Sequence, residues 1–120
     1  VADDNSFNAD IMKDLLDLKG ATCEIASTGQ EAVDLFTSSA CGHFDAILMD
    51  IRMPDMDGYE ATKRIRHSKH PDHASIMIIA TTANAFADDV KTTLASGMNA
   101  HLSKPVDLDT LCALLQSMQL

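Results

Sequence analysis

The sequence predicts an α/β fold, a parallel sheet with helices packed against it. Three observations carry this. Apolar strand-like runs alternate with amphipathic helix-like stretches from one end of the chain to the other. Two of the runs, 44–49 and 76–80, are apolar almost throughout, as strands covered on both faces must be. No internal repeat, low-complexity stretch or linker breaks the alternation, and 120 residues is the size of one ordinary domain, so 1–120 is read as a single unit.

The elements follow in order. Phe7, Ile11, Leu15 and Leu18 recur at helical spacing, which predicts a helix over 6–19 that Gly20 ends. A short strand over 22–26 comes next. Thr28 and Glu31 have the spacing of a capping box, so a helix starts there, turns Ala32, Val33, Leu35 and Phe36 inward and ends near Ser39. The run 44–49 is a central strand interrupted only by Asp45, and Asp50 stands at its end. After the turn-rich segment 53–57, Asp57 caps a helix over 58–67, with Glu60 three residues on. A buried strand over 76–80, a weaker helix over 87–96 closed by Gly97, and a last short strand over 100–103 follow. Asp107 caps the final helix, whose face is Leu108, Leu111, Cys112 and Leu115. One element falls short: Val1 and Ala2 directly precede Asp3 and Asp4, so only the end of a first strand is present. That strand would lie centrally in a doubly wound sheet, which predicts further residues upstream.

Composition limits the function. Hydrophobic residues make up 46% and charged ones 22%, typical of a folded soluble protein. Nine Lys and Arg against eighteen Asp and Glu leave a formal charge of −9, which repels nucleic acid and anionic membranes and argues against direct binding to DNA. No run approaches the ~18 apolar residues of a membrane span, and no signal segment is present. A cytoplasmic location is expected, although a larger parent chain can be anchored in the inner membrane. Cys23, Cys41 and Cys112, an odd number and widely spaced, read as reduced, core-filling thiols. The seven methionines read as core filler. His67, His70 and His73 suggest a metal cluster, but Pro71 breaks the helix among them, and a solvated loop is the preferred reading.

Chemistry concentrates at strand ends. Asp3 and Asp4, Asp50, Thr82 and Lys104 each close an expected strand, and parallel sheets place their sites at these carboxyl ends. Three crowded carboxylates repel one another unless a cation sits among them. Oxygen donors of this kind suit Mg²⁺, which needs few protein ligands.

These residues resemble the receiver domain of two-component response regulators, the family of the chemotaxis response regulator, over essentially the whole chain. The matching segments are Asp3-Asp4-Asn5, Leu48-Met49-Asp50-Ile51-Arg52-Met53-Pro54 with Met56-Asp57-Gly58, Thr82-Ala83-Asn84-Ala85, and Lys104-Pro105. The wording Met-Pro-x-Met-Asp-Gly-x-Glu-Ala and Thr-Ala-Asn-Ala-Phe is most similar to receivers attached to hybrid histidine kinases. The resemblance implies a (βα)5 flavodoxin-like three-layer sandwich with strand order 2-1-3-4-5. It also implies that Asp50 is the phosphoacceptor and that Asp4 binds Mg²⁺ or Mn²⁺ directly and Asp3 through water. The resemblance further implies that the Arg52 backbone carbonyl completes the protein ligands, that Lys104 supplies positive charge to the phosphoryl oxygens and that the Thr82 hydroxyl donates to one of them. Pro105 falls where the family holds a cis peptide, a way of aiming Lys104 inward.

The donor would be the phosphohistidine of a histidine kinase core or of a histidine phosphotransfer domain. Phosphorylation is expected to draw the Thr82 loop inward and shift the face formed by the fourth helix and the last strand. The usual switch aromatic is here His101, a polar, titratable departure. With no effector segment in the chain, a relay module of a hybrid kinase is preferred over a stand-alone regulator. A phosphohydrolase forming an aspartyl phosphate is disfavoured because Arg52 stands where its acid would be. A flavin module is disfavoured because Asp3-Asp4-Asn5 would repel a nucleotide phosphate.

Overall fold

The computed structural model describes residues 1–3, 6–18, 24–44, 46–53, 56–82, 90–103 and 108–118. Helix α1 is Ser6–Leu18, α2 Gly29–Thr37, strand β1 Ala46–Asp50, α3 Gly58–Arg66, β2 Met77–Thr82, α4 Val90–Ala95, β3 Ala100–Ser103 and α5 Leu108–Met118.

Backbone hydrogen bonding orders these pieces. β1 pairs parallel with β2, and β2 parallel with β3. On the other side of β1, Ala2 forms parallel bridges to both Met49 and Ala26. The Ala2 amide donates to the Leu48 carbonyl at 2.7 Å and the Asp50 amide to the Ala2 carbonyl at 2.8 Å. On the far edge the Ala26 amide donates to the Val1 carbonyl at 2.9 Å. Reading across, the order is residue 26, residue 2, β1, β2, β3, which is the expected 2-1-3-4-5, with the first two strands represented by bridges alone.

The side chains split the core into two layers. Ile47, Met49, Ile78 and Ala80 project to one face with Ala32, Val33 and Phe36 of α2 and Ala61 and Ile65 of α3. Leu48, Met77 and Ile79 project to the other with Leu16 of α1 and Leu111 of α5. Strand alternation produces this division, and it explains why both runs are apolar at successive positions: β2 is buried at every residue.

Local signals act as read. The Thr28 hydroxyl accepts from the Glu31 amide at 3.0 Å, and Asp57 Oδ1 from the Glu60 amide at 2.9 Å, so both helix starts are capped. Gly97 ends α4 at φ 107°, a conformation that disfavours any side chain. Met49, Met53, Met77 and Met98 are buried core residues. Gly20 and Asp107 lie outside the described residues, as does Cys23. Strand boundaries shift: β1 ends on Asp50 rather than before it, and β2 reaches Thr82.

Two readings are corrected. Cys41 is not core-filling; it is exposed after α2, where its thiol donates to Asp72 Oδ1 at 3.4 Å. The histidine segment is a solvated loop only at His67, which is exposed, because the chain leaving α3 folds back against the end of α2 at His70 and against Arg66 at His73. His70 is 6% exposed, its ring 4.4 Å from that of Phe36. His73 Nδ1 lies 2.7 Å from the Arg66 carbonyl. Among the described residues no group of three or more His, Cys, Asp or Glu side chains could hold a metal ion.

Candidate functional site at the carboxyl edge of the sheet

The hydrogen bonds of Ala2 fix the site's geometry. Because Ala2 is level with Met49 in a parallel pairing, the next residue, Asp3, is level with Asp50. The two acids therefore leave adjacent strands at one edge. Both are buried, Asp3 at 6% and Asp50 at 3% exposure. Register carries the edge onward: Asp50 pairs with Thr81, and Thr82 with Ser103. Thr82 thus closes β2 beside them, fully buried. Lys104 is next in sequence after the end of β3, and it lies outside the described residues together with Asp4, Asn5, Pro54, Ala83, Asn84, Ala85 and Pro105.

Beyond Asp50 the backbone turns back on itself. The Ile51 amide donates to the Thr81 carbonyl at 3.1 Å, and the Gly58 amide to the Ile51 carbonyl at 2.9 Å, which brings the start of α3 under the strand end. Arg52 is exposed, and its amide donates to Asp50 Oδ1 at 3.2 Å, orienting that carboxylate from its own loop. Asp3, Asp50, Arg52 and Thr82 all take part in further interactions.

The chemistry of the donor set is that of a hard-cation site. Asp3 and Asp50 offer carboxylate oxygens, and Arg52, two residues on from Asp50, adds a backbone carbonyl to the loop that follows. Burying ionised carboxylates side by side is costly without positive charge or hydrogen-bond donors close to them. An oxygen-only donor set is the kind that suits Mg²⁺ or Mn²⁺.

His101 lies farther from the edge. It pairs with Ala80, and strand alternation turns it away from the Ala100 and Leu102 face, toward the side on which Ile78 and Ala80 lie. Its Nε2 is buried and has no hydrogen-bond partner among the described residues. A phenyl ring there would leave no such orphan, so the departure to histidine has a physical cost.

The reading of the residues assigns no role to Gly29. It is the first residue of α2, yet a Cβ there would lie 2.6 Å from the Met56 carbonyl oxygen, in the loop that follows Asp50. The available signal was a glycine at a helix start, a poor helix former right after a capping residue.

No helix among the described residues is long and apolar enough to cross a membrane.

A family model described as the response regulator receiver domain matches residues 1–116. The sensor histidine kinase RcsC of Escherichia coli is 38% identical over 111 residues, covering 92% of this chain and 11% of that protein. The hybrid signal transduction histidine kinase L of Dictyostelium discoideum is 36% identical over 107 residues, covering 88% of this chain and 6% of that protein. The chain therefore spans about a tenth or less of the length of these relatives. Among solved structures, the receiver domain of the sensor histidine kinase PA1611 from Pseudomonas aeruginosa superposes with a TM-score of 0.85 at 35% identity. The match covers 98% of this chain and 92% of that one, and the structure carries a magnesium ion in its active-site cleft. The receiver domain of Ssk1 from Saccharomyces cerevisiae, crystallised with the histidine phosphotransfer protein Ypd1, gives 0.80 at 30% identity, covering 98% and 84%.

Proposed function

The chain belongs to the response regulator receiver domain family, and from that premise we propose that it is the receiver module of a hybrid histidine kinase, taking a phosphoryl group from phosphohistidine onto Asp50. The observation that supports this most is the pair of buried acids, Asp3 and Asp50, level with each other on adjacent strand ends.

Asp50 carries the nucleophilic oxygen. That oxygen forms the new bond to phosphorus as the bond to the donor imidazole nitrogen breaks, and the departing nitrogen keeps the electron pair and takes up a proton, leaving an acyl phosphate and a neutral imidazole. The transition state spreads charge over three equatorial oxygens, so the protein's task is positioning and neutralisation. The Arg52 amide holds Asp50 Oδ1 in place, and the Thr82 hydroxyl and the Lys104 ammonium are the donors assigned to the phosphoryl oxygens. Mg²⁺ or Mn²⁺ bound by Asp3, Asp4, Asp50 and the Arg52 carbonyl would supply the remaining positive charge. The donor is a kinase core or a histidine phosphotransfer domain, consistent with the complex in which the Ssk1 receiver was crystallised.

Readout follows from the same edge. Drawing Thr82 toward the phosphoryl group moves the end of β2, and His101 on the neighbouring strand answers that movement. A cytoplasmic position within a parent kinase fits this role.

The test is transfer from a histidine phosphotransfer domain labelled on its histidine. The label should pass to this chain within seconds to minutes in the presence of Mg²⁺ and stay on the donor with Asp50→Asn. Label retained by the donor in the presence of the folded parent chain overturns the proposal.

A further inference from the structure

We infer that Gly29 is a positioning residue for the metal-binding loop after Asp50, an inference that rests on the reading of that loop given above. Gly29 opens α2 and Gly58 opens α3. Each follows a capping residue, Thr28 or Asp57, that already satisfies a helix-end amide. Glycine is the poorest helix former after proline, so its presence at both starts has another cause.

The cause is steric. A Cβ built on Gly58 would lie 2.5 Å from the Asp50 carbonyl oxygen and 2.9 Å from Ile51 Cα. One built on Gly29 would lie 2.6 Å from the Met56 carbonyl oxygen and 3.0 Å from Met56 Cγ. Bare helix backbone is thus pressed on the loop at both ends: α3 against its beginning at Asp50 and Ile51, α2 against its end at Met56. Arg52 lies between the two clamps, with its amide on Asp50 Oδ1.

The clamp at the beginning is local, since Gly58 touches Asp50 itself. The clamp at the end touches Met56, four positions along the chain from Arg52, which is why Gly29 acts by positioning. A methyl group at Gly29 must push the Met56 carbonyl away by several tenths of an ångström to reach an ordinary contact. Mg²⁺ and Mn²⁺ accept little such displacement, because protein–metal distances vary by only about 0.2 Å in sound sites. The Met56 side chain is half-buried against the α2–α3 core layer, so the loop end has limited room to yield.

The experiment counts bound Mn²⁺ by electron paramagnetic resonance on unphosphorylated protein, with the folded fraction taken from circular dichroism at the same temperature. The proteins are the parent chain, Asp50→Asn, Gly29→Ala, Gln30→Ala at the exposed neighbouring position, and Val33→Ala, which disturbs the core of α2 away from its start. Gly29→Ala should bind Mn²⁺ about tenfold more weakly per folded molecule, the order of loss seen when supports behind metal ligands are removed. Gln30→Ala and Val33→Ala should stay within about twofold of the parent, since loss of stability alone leaves affinity per folded molecule unchanged. Should Gly29→Ala fail to fold, Met56→Gly releases the same end of the loop without altering the helix, and it should weaken binding in the same direction. Parent-like affinity in folded Gly29→Ala, or in Met56→Gly where that variant is needed, overturns the inference. Mn²⁺ binding that survives Asp50→Asn overturns the metal reading itself, and the inference with it.

Discussion

Replacing Arg66 by alanine should remove a large share of this protein's stability, although Arg66 is far from the phosphoacceptor edge. Its guanidinium joins three segments at the opposite end of the sheet. Nε and Nη2 donate to the Gly97 carbonyl at 2.9 and 2.8 Å. Nη1 donates to the carbonyls of His73 at 3.1 Å and Ile76 at 2.7 Å. Nη2 also donates to Asn99 Oδ1 at 2.8 Å, an oxygen that accepts the Ile78 amide as well. All the acceptors are neutral, and burial lowers the pKa of Arg66 from its ordinary value, yet a guanidinium keeps its charge in such surroundings. A hydrogen bond from a charged donor contributes about 1.5–3 kcal/mol net. Water reaches part of this half-buried group and replaces some of the lost bonds, so the sum is discounted to about 2–4 kcal/mol. For a chain of this length that corresponds to a fall in melting temperature of about 10 °C. Arg66→Lys keeps the charge but presents one nitrogen where three are used, and it should recover less than half of the loss. Urea denaturation with both variants is the assay. A change below about 0.5 kcal/mol for Arg66→Ala, the range of an ordinary surface substitution, would refute the view that this side chain holds the 67–76 segment and the α4–β3 turn to α3.

Other expectations concern the core, the acid range and the site. Phe36→Ala removes a ring that is 2% exposed and packs on His70, and should cost about 3–5 kcal/mol by urea denaturation. Asp72 is held below its ordinary carboxylate value of 3.8, chiefly by the Gly42 amide that donates to Oδ2 at 2.7 Å. The unfolded chain therefore binds the proton more readily, and stability contributed by Asp72 is present above the ordinary value and is lost as pH falls through the depressed one. Asp72→Asn should flatten that acid limb in thermal melts taken across pH 2–5, and an unchanged limb would assign it to other carboxylates. Thr82→Ala should slow phosphorylation by acetyl phosphate by at least about tenfold while leaving Mn²⁺ affinity near the parent's, because it removes a donor to the phosphoryl group rather than a metal ligand. Equal loss of both would place Thr82 in the metal site.

The fold was legible where a residue's neighbours along the chain determine its state. Thr28 and Asp57 announce helix starts because a cap is a local bargain between one side chain and one amide. The almost wholly apolar runs that become β1 and β2 announce coverage on both faces. That Asp3, Asp50 and Thr82 share one edge was legible as an assembly of strand ends, since a parallel sheet brings such ends together whatever the connections between them. Illegible were the features that depend on distant partners. Nothing near His70 in sequence says that Phe36 will stack on it or that the Ser39 carbonyl will lie 2.9 Å from its Nε2. Cys41 looks like any small apolar residue until Asp72 arrives from the far loop and, by accepting its hydrogen bond, raises the thiol's pKa. Gly29 looks like a weak helix start until the Met56 carbonyl is seen against it.

The central claim is that Asp50 becomes phosphorylated in a metal-dependent reaction. Intact-mass spectrometry after incubation with acetyl phosphate and Mg²⁺ tests it most directly. The account predicts a gain of one phosphoryl group in the parent chain that disappears when EDTA is added beforehand and is absent from Asp50→Asn. A folded parent chain that gains nothing, or an Asp50→Asn chain that gains the same mass, contradicts it.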